Sequence, residues 1–147
     1  ELLKWAREHG CPWNEKVTYE AAFEGELEVL QWAREHGCPW EVENICLLGA
    51  MFNHREVLEW VREQGCAFNE LTFSGAASAG NIDMLKWLRE QGCPWNDLAC
   101  YEAAVNGHLA ALKWMKENDC FDPCLCDMTE HAHVLEWLRE IGVLGNN

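Results

Sequence analysis

Apolar residues along this chain follow a helical period nested inside a longer one. In LEVLQWAREH, residues 27–36, the positions Val29, Leu30, Trp32 and Ala33 give a short helix apolar on two flanks. The same four positions return as Val57, Leu58, Trp60 and Val61, then Met84, Leu85, Trp87 and Leu88, then Ala111, Leu112, Trp114 and Met115. Trp stands at 5, 32, 60, 87, 114 and 137, at spacings of 27, 28, 27, 27 and 23, and a Cys follows six residues behind each of the first five, at 11, 38, 66, 93 and 120. One local design is copied along the chain, with a one-residue insertion early and a shortened last unit. A period of this length marks stacked supersecondary units, which bury a continuous core only by packing on their neighbours.

Residues 14–41 show the unit, and they predict two helices. Asn14 is a suitable N-cap with Glu15 in the first turn, where the helix dipole favours an anion; Asn69 with Glu70 and Asn96 with Asp97 repeat the arrangement. The first helix runs to about Glu24, and the small pairs Ala21 and Ala22, Gly49 and Ala50, Ala76 and Ala77, Ala103 and Ala104 let units approach closely. Gly25, Asn53, Gly80 and Gly107 then tolerate the positive φ needed to turn back. The second helix, Leu27 to His36, is about 15 Å long at 1.5 Å per residue. Gly10, Gly37, Gly65, Gly92 and Gly142 close these second helices, Pro12, Pro39 and Pro94 prevent continuation, and Trp13, Trp40, Phe68 or Trp95 seals the loop. The recurring Arg34 and Glu35, Arg62 and Glu63, Arg89 and Glu90, Arg139 and Glu140 are expected to form a solvated face laced by weak ion pairs.

The predicted fold class is therefore all-α, an α-solenoid of stacked helix-turn-helix repeats in one domain. Its units are 1–14 (partial), 15–41, 42–69, 70–96, 97–122 and 123–147 (degenerate). The chain's 147 residues, 49% of them hydrophobic, suffice for one core, and no Pro, Gly or Ser tract marks a linker. A formal charge of −14, from 11 basic and 25 acidic residues, argues against nucleic acid and anionic lipid as partners; it either serves to keep the protein soluble or favours a basic protein surface. Nothing approaches the roughly 18 to 20 apolar residues that cross a bilayer.

Nine Cys in a short chain would suit a disulfide scaffold, but five occupy one repeat position. Equivalent residues on stacked helices lie about 8 to 10 Å apart, beyond disulfide reach. Free, mostly buried thiols follow, as in a reducing, intracellular compartment, with cytoplasm the expected location. Cys46 and Cys100 align with Thr18 and read as small core fillers.

In phase with each unit, AAFEGELEVLQWAREHGCPW at 21–40, AASAGNIDMLKWLREQGCPWN at 76–96 and AAVNGHLAALKWMKEND at 103–119 resemble the ankyrin repeat, whose unit reads approximately TPLHLAAENGHLEVVKLLLEHGADVN. His54, His108 and His131 stand where that pattern often has His. The unit here is usually 27 residues rather than 33, and the missing stretch is the β-hairpin finger with its TPLH turn. The resemblance implies a finger-less ankyrin-like solenoid, with no catalytic centre and no cofactor, that binds a protein partner on the face of its first helices. Its partner-contacting positions would be Phe23, Glu24, Met51, Phe52, Ser78, Ala79, Val105 and Asn106, which differ from unit to unit. Phe, Met and Val there either form an exposed apolar patch or tuck into the stack.

Cys124 and Cys126 alone among the Cys leave the register. With Cys120, His131 and His133 they spell C-x3-C-x-C-x4-H-x-H, a candidate zinc set in the shortened unit, set against a degenerate cap that needs no metal. At the other end Leu2, Leu3 and Trp5 belong to a second helix without its first, so a longer array or another protein is expected to cover it. The leading functional expectation is a non-catalytic interaction module; the alternative is a permanent structural subunit of a larger assembly. No P-loop, G-x-S-x-G or H-E-x-x-H motif supports an enzyme.

Overall fold

A computed structural model describes residues 7–10, 13–123 and 126–145; Leu2, Leu3, Trp5, Cys11, Pro12 and Cys124 lie outside the described residues. The regular structure among the described residues is all helical, with no strand. Four helix pairs follow one another: α1 (Glu15–Glu24) and α2 (Leu27–Glu35), α3 (Val42–Met51) and α4 (Arg55–Glu63), α5 (Glu70–Ser78) and α6 (Ile82–Glu90), α7 (Asp97–Val105) and α8 (Leu109–Glu117). In the last unit a 3-10 turn, Cys126–Met128, replaces the first helix and leads into α9 (Ala132–Glu140).

Local chemistry sets these boundaries. Asn14 accepts a hydrogen bond from the Lys16 amide at 3.1 Å and Asn96 from that of Leu98 at 3.1 Å, while Asn69 and Thr72 form a reciprocal capping box. The predicted turn residues all take positive φ, Asn53 at 62° among them, and Asp119 at 57° fills the place that Gly holds behind the other second helices.

The first helices stack on one another in the order α1, α3, α5, α7, and the second helices lie alongside them. Between the layers runs one buried cluster from Ala21 to Leu138. Its columns are the repeat positions: Leu30, Leu58, Leu85 and Leu112 are fully inside, as are Ala33, Val61, Leu88, Met115 and Leu138. The first helices stack closely at Gly75, just before the Ala76 and Ala77 pair. A Cβ at Gly75 would lie 2.6 Å from the Leu47 carbonyl oxygen, so α5 packs directly on the backbone of α3.

The loop aromatics bind the layers through edge and tilted ring contacts. Trp13 meets Trp32 at 5.3 Å between centroids, Trp40 meets Trp60 at 5.7 Å and Phe68 meets Trp87 at 5.8 Å, so each loop ring packs on the Trp of the next unit. The recurrent Arg side chains cover these rings. Arg34 lies 4.5 Å above Trp40 and Arg62 lies 5.4 Å above Phe68. This corrects the expectation of an ion-pair ladder: among the described residues the ion pairs are Arg55 with Glu59 and Lys86 with Asp83. Adjacent Arg and Glu do not face each other on a helix, whereas the aromatic in the following loop lies within the guanidinium's reach.

A second tie joins units along the edge where first helices end. The Nε2–H of His54 donates to the Phe23 carbonyl at 2.8 Å, that of His108 to Ser78 at 2.9 Å, and that of His131 to Val105 at 3.1 Å. Each ring rests over the turn glycine of the preceding unit. A Cβ at Gly80 would overlap His108 and one at Gly25 would overlap His54. Where the turn residue is Asn53, the next unit has Asn81 in place of His, and the two amides bond at 2.9 Å. Asn53 with Asn81 and Gly with His are thus alternative solutions to one steric problem. Asn81→His alone is expected to cost about 1–3 kcal/mol by overpacking against Asn53. In Asn53→Gly/Asn81→His most of that loss returns, a coupling of about 1 kcal/mol or more readable by urea unfolding of all four members of the cycle.

Candidate functional site

The first helices end along one edge of the stack, and the residues that break the repeat register lie there. Phe23 and Glu24 close α1, Met51 and Phe52 end α3, Ser78 and Ala79 end α5, and Val105 and Asn106 end α7. None of the eight is buried. Phe23 and Phe52 are 38% and 40% exposed, and their rings meet at 4.5 Å between centroids, so they form an apolar patch rather than tucking into the stack. Met51 and Val105 are half-buried.

The edge has two halves. At α1 and α3 it is aromatic, with the His54 ring beside Phe52 at 6.4 Å. At α5 and α7 it is polar, and Asn106 donates through Nδ2 to Ser78 Oγ at 3.3 Å and to its own helix at the Glu102 carbonyl. Tyr19, one turn before Phe23 on α1 and 43% exposed, extends the aromatic half. Its equivalents Leu47, Ser74 and Tyr101 differ as freely as the eight do, a signal that the sequence itself holds. Met128 in the 3-10 turn is also exposed, in a unit with no register to compare.

The cysteines serve the stack. The seven described ones are free, and all but half-exposed Cys66 are buried. The Cys38 thiol donates to the Asn14 carbonyl at 3.4 Å and that of Cys93 to the Asn69 carbonyl at 3.4 Å, tying each loop to the start of its own first helix. Burial pushes the Cys46 and Cys93 thiols up to about 12, and burial also raises Cys38 and Cys120. Cys126 is held high by its hydrogen bond with Cys100 and by burial.

Of the candidate zinc residues Cys124 lies outside the described residues, and the His131 and His133 rings lie 5.6 Å apart between centroids. Cys120 and Cys126 are fully buried, whereas His131 and His133 are exposed and bonded through Nε2 to the Val105 and Gly107 carbonyls. Among the described residues no group of three or more His, Cys, Asp or Glu side chains is arranged to hold a metal ion. Among them, too, no helix is long and apolar enough to cross a membrane. Among the described residues an open surface groove lies between Arg55, Arg62, Trp87 and Gln91. No family model matches the chain, and no curated protein matches it significantly.

The buried thiols have a measurable consequence. Cys46 and Cys93 titrate near 12 when folded and near 8.5 when unfolded, so the stability they lend as protonated thiols is complete below about pH 8.5 and lost as pH rises toward 12. A Cys46→Ala/Cys93→Ala variant is expected to be less stable at pH 7 yet to show a shallower fall in Tm between about pH 9 and 11 than the parent chain.

Proposed function

We propose that the chain is a non-catalytic protein-interaction module of ankyrin-like build, taking a protein partner on the edge where its first helices end. The observation that carries this reading is the touching, exposed pair Phe23 and Phe52, in a chain whose repeating apolar residues are otherwise drawn inside. Half-exposed aromatic side chains supply much of the binding energy once a partner covers their remaining surface. The ankyrin resemblance supports the same face, since it singles out Phe23, Glu24, Met51, Phe52, Ser78, Ala79, Val105 and Asn106 by position alone. The recurrent His rings that tie carbonyls and the buried thiols that tie loops fit packing roles, which supports a non-catalytic reading.

Affinity capture on the immobilised chain tests the reading. The parent chain and a Glu56→Ala control on the opposite layer are expected to retain the same protein, and Phe23→Ala/Phe52→Ala to lose it by about tenfold or more while keeping its helical circular dichroism. Equal retention by the aromatic variant would refute the face. Retention by every variant through a wash at about 1 M salt would point to the permanent-subunit alternative.

A further inference from the structure

Charge is unevenly divided between the two layers. Lys16 is the only Lys or Arg on α1, α3, α5 and α7, whereas each of α2, α4, α6, α8 and α9 carries at least one. Several cations of the second layer are engaged elsewhere. Arg34 covers Trp40, Arg62 covers Phe68, and Arg55, three residues after Phe52, bonds Glu59 at 3.0 Å and lies 4.8 Å over Trp87. On the patch itself Glu20 and Glu24 stand one turn apart on α1 beside Phe23, and Glu26 follows in the turn. All three are exposed, and neither ion pair among the described residues uses them. The C-terminal ends of the first helices add their partial negative charge to the same edge.

Resting on the binding face assigned above, we infer that the partner supplies a cationic segment in which Lys or Arg flanks an apolar side chain. The apolar side chain sits against Tyr19, Phe23 and Phe52, and the flanking cations face Glu20, Glu24 and Glu26. Desolvating the rings gives affinity, and the carboxylates give encounter rate and selectivity against acidic competitors. Arg suits the flank better than Lys, because its guanidinium stacks on an aromatic face while it pairs with a carboxylate.

Selection of a phage-displayed random peptide library on the purified chain tests this directly. The enriched peptides are expected to place Lys or Arg within two or three residues of an aromatic or branched aliphatic residue. Synthetic copies should lose about tenfold in affinity on Phe23→Ala/Phe52→Ala, and about threefold or more on Glu20→Gln/Glu24→Gln or on raising salt from about 50 to 500 mM. Enriched peptides that are neutral or acidic, yet lost with the aromatic variant, would overturn the cationic partner and leave the binding face standing. Peptides indifferent to the aromatic variant would overturn both. Absence of any enrichment would count against the cationic segment alone, since native capture reads the face independently.

Discussion

A pair of nine- or ten-residue helices cannot cover its own apolar face, so every unit of this chain depends on the next one lying against it. The columns of Leu30, Leu58, Leu85 and Leu112, and of Ala33, Val61, Leu88, Met115 and Leu138, reach zero exposure only because neighbouring pairs close over them. Truncating one such Leu in a close-packed column costs about 2–5 kcal/mol, a large part of the total stability of a domain this size. The stack therefore dictates residue type wherever units touch, down to a missing Cβ at Gly75.

Freedom from that constraint is what makes the first-helix edge distinctive. The backbone there is held hard, because the carbonyls of Phe23, Ser78 and Val105 each accept from a His of the following unit. The side chains at the same positions are exposed or half-buried rather than enclosed by the stack, and they differ from unit to unit. A rigid backbone carrying free side chains suits recognition, since little order has to be imposed on binding. The layer's charge then gives the edge a sign: carboxylates lie in the open while Arg55, in the first turn of α4, is committed to Glu59 and the Trp87 ring.

The period made the two-helix unit, its turn residues and its buried columns legible, because each depends on local propensity or on contact with an identical neighbour. Three features escaped because they depend on which residues meet in space. Arg34 and Arg62 were expected among ion pairs, yet the rings of Trp40 and Phe68 in the following loop capture them. The exchange of a Gly and His for Asn53 and Asn81 is visible as letters, but only the overlap of ring and Cβ explains why both change together. Tyr19 was passed over because a Tyr on an amphipathic helix is unremarkable until its neighbour Phe23 is found in water. In the last unit the register ends before the 3-10 turn, which leaves no template against which to judge Cys126 or Met128.

Amide hydrogen exchange of the chain with and without its captured protein partner tests the central claim most directly, because it reports every helix end at once. The account predicts added protection at the ends of α1 and α3 and in the turns after them, around residues 19–26 and 51–54, with α2, α4, α6 and α8 unchanged. Protection gained along the second helices or in the Cys-containing loops, with the first-helix ends unaltered, would contradict it.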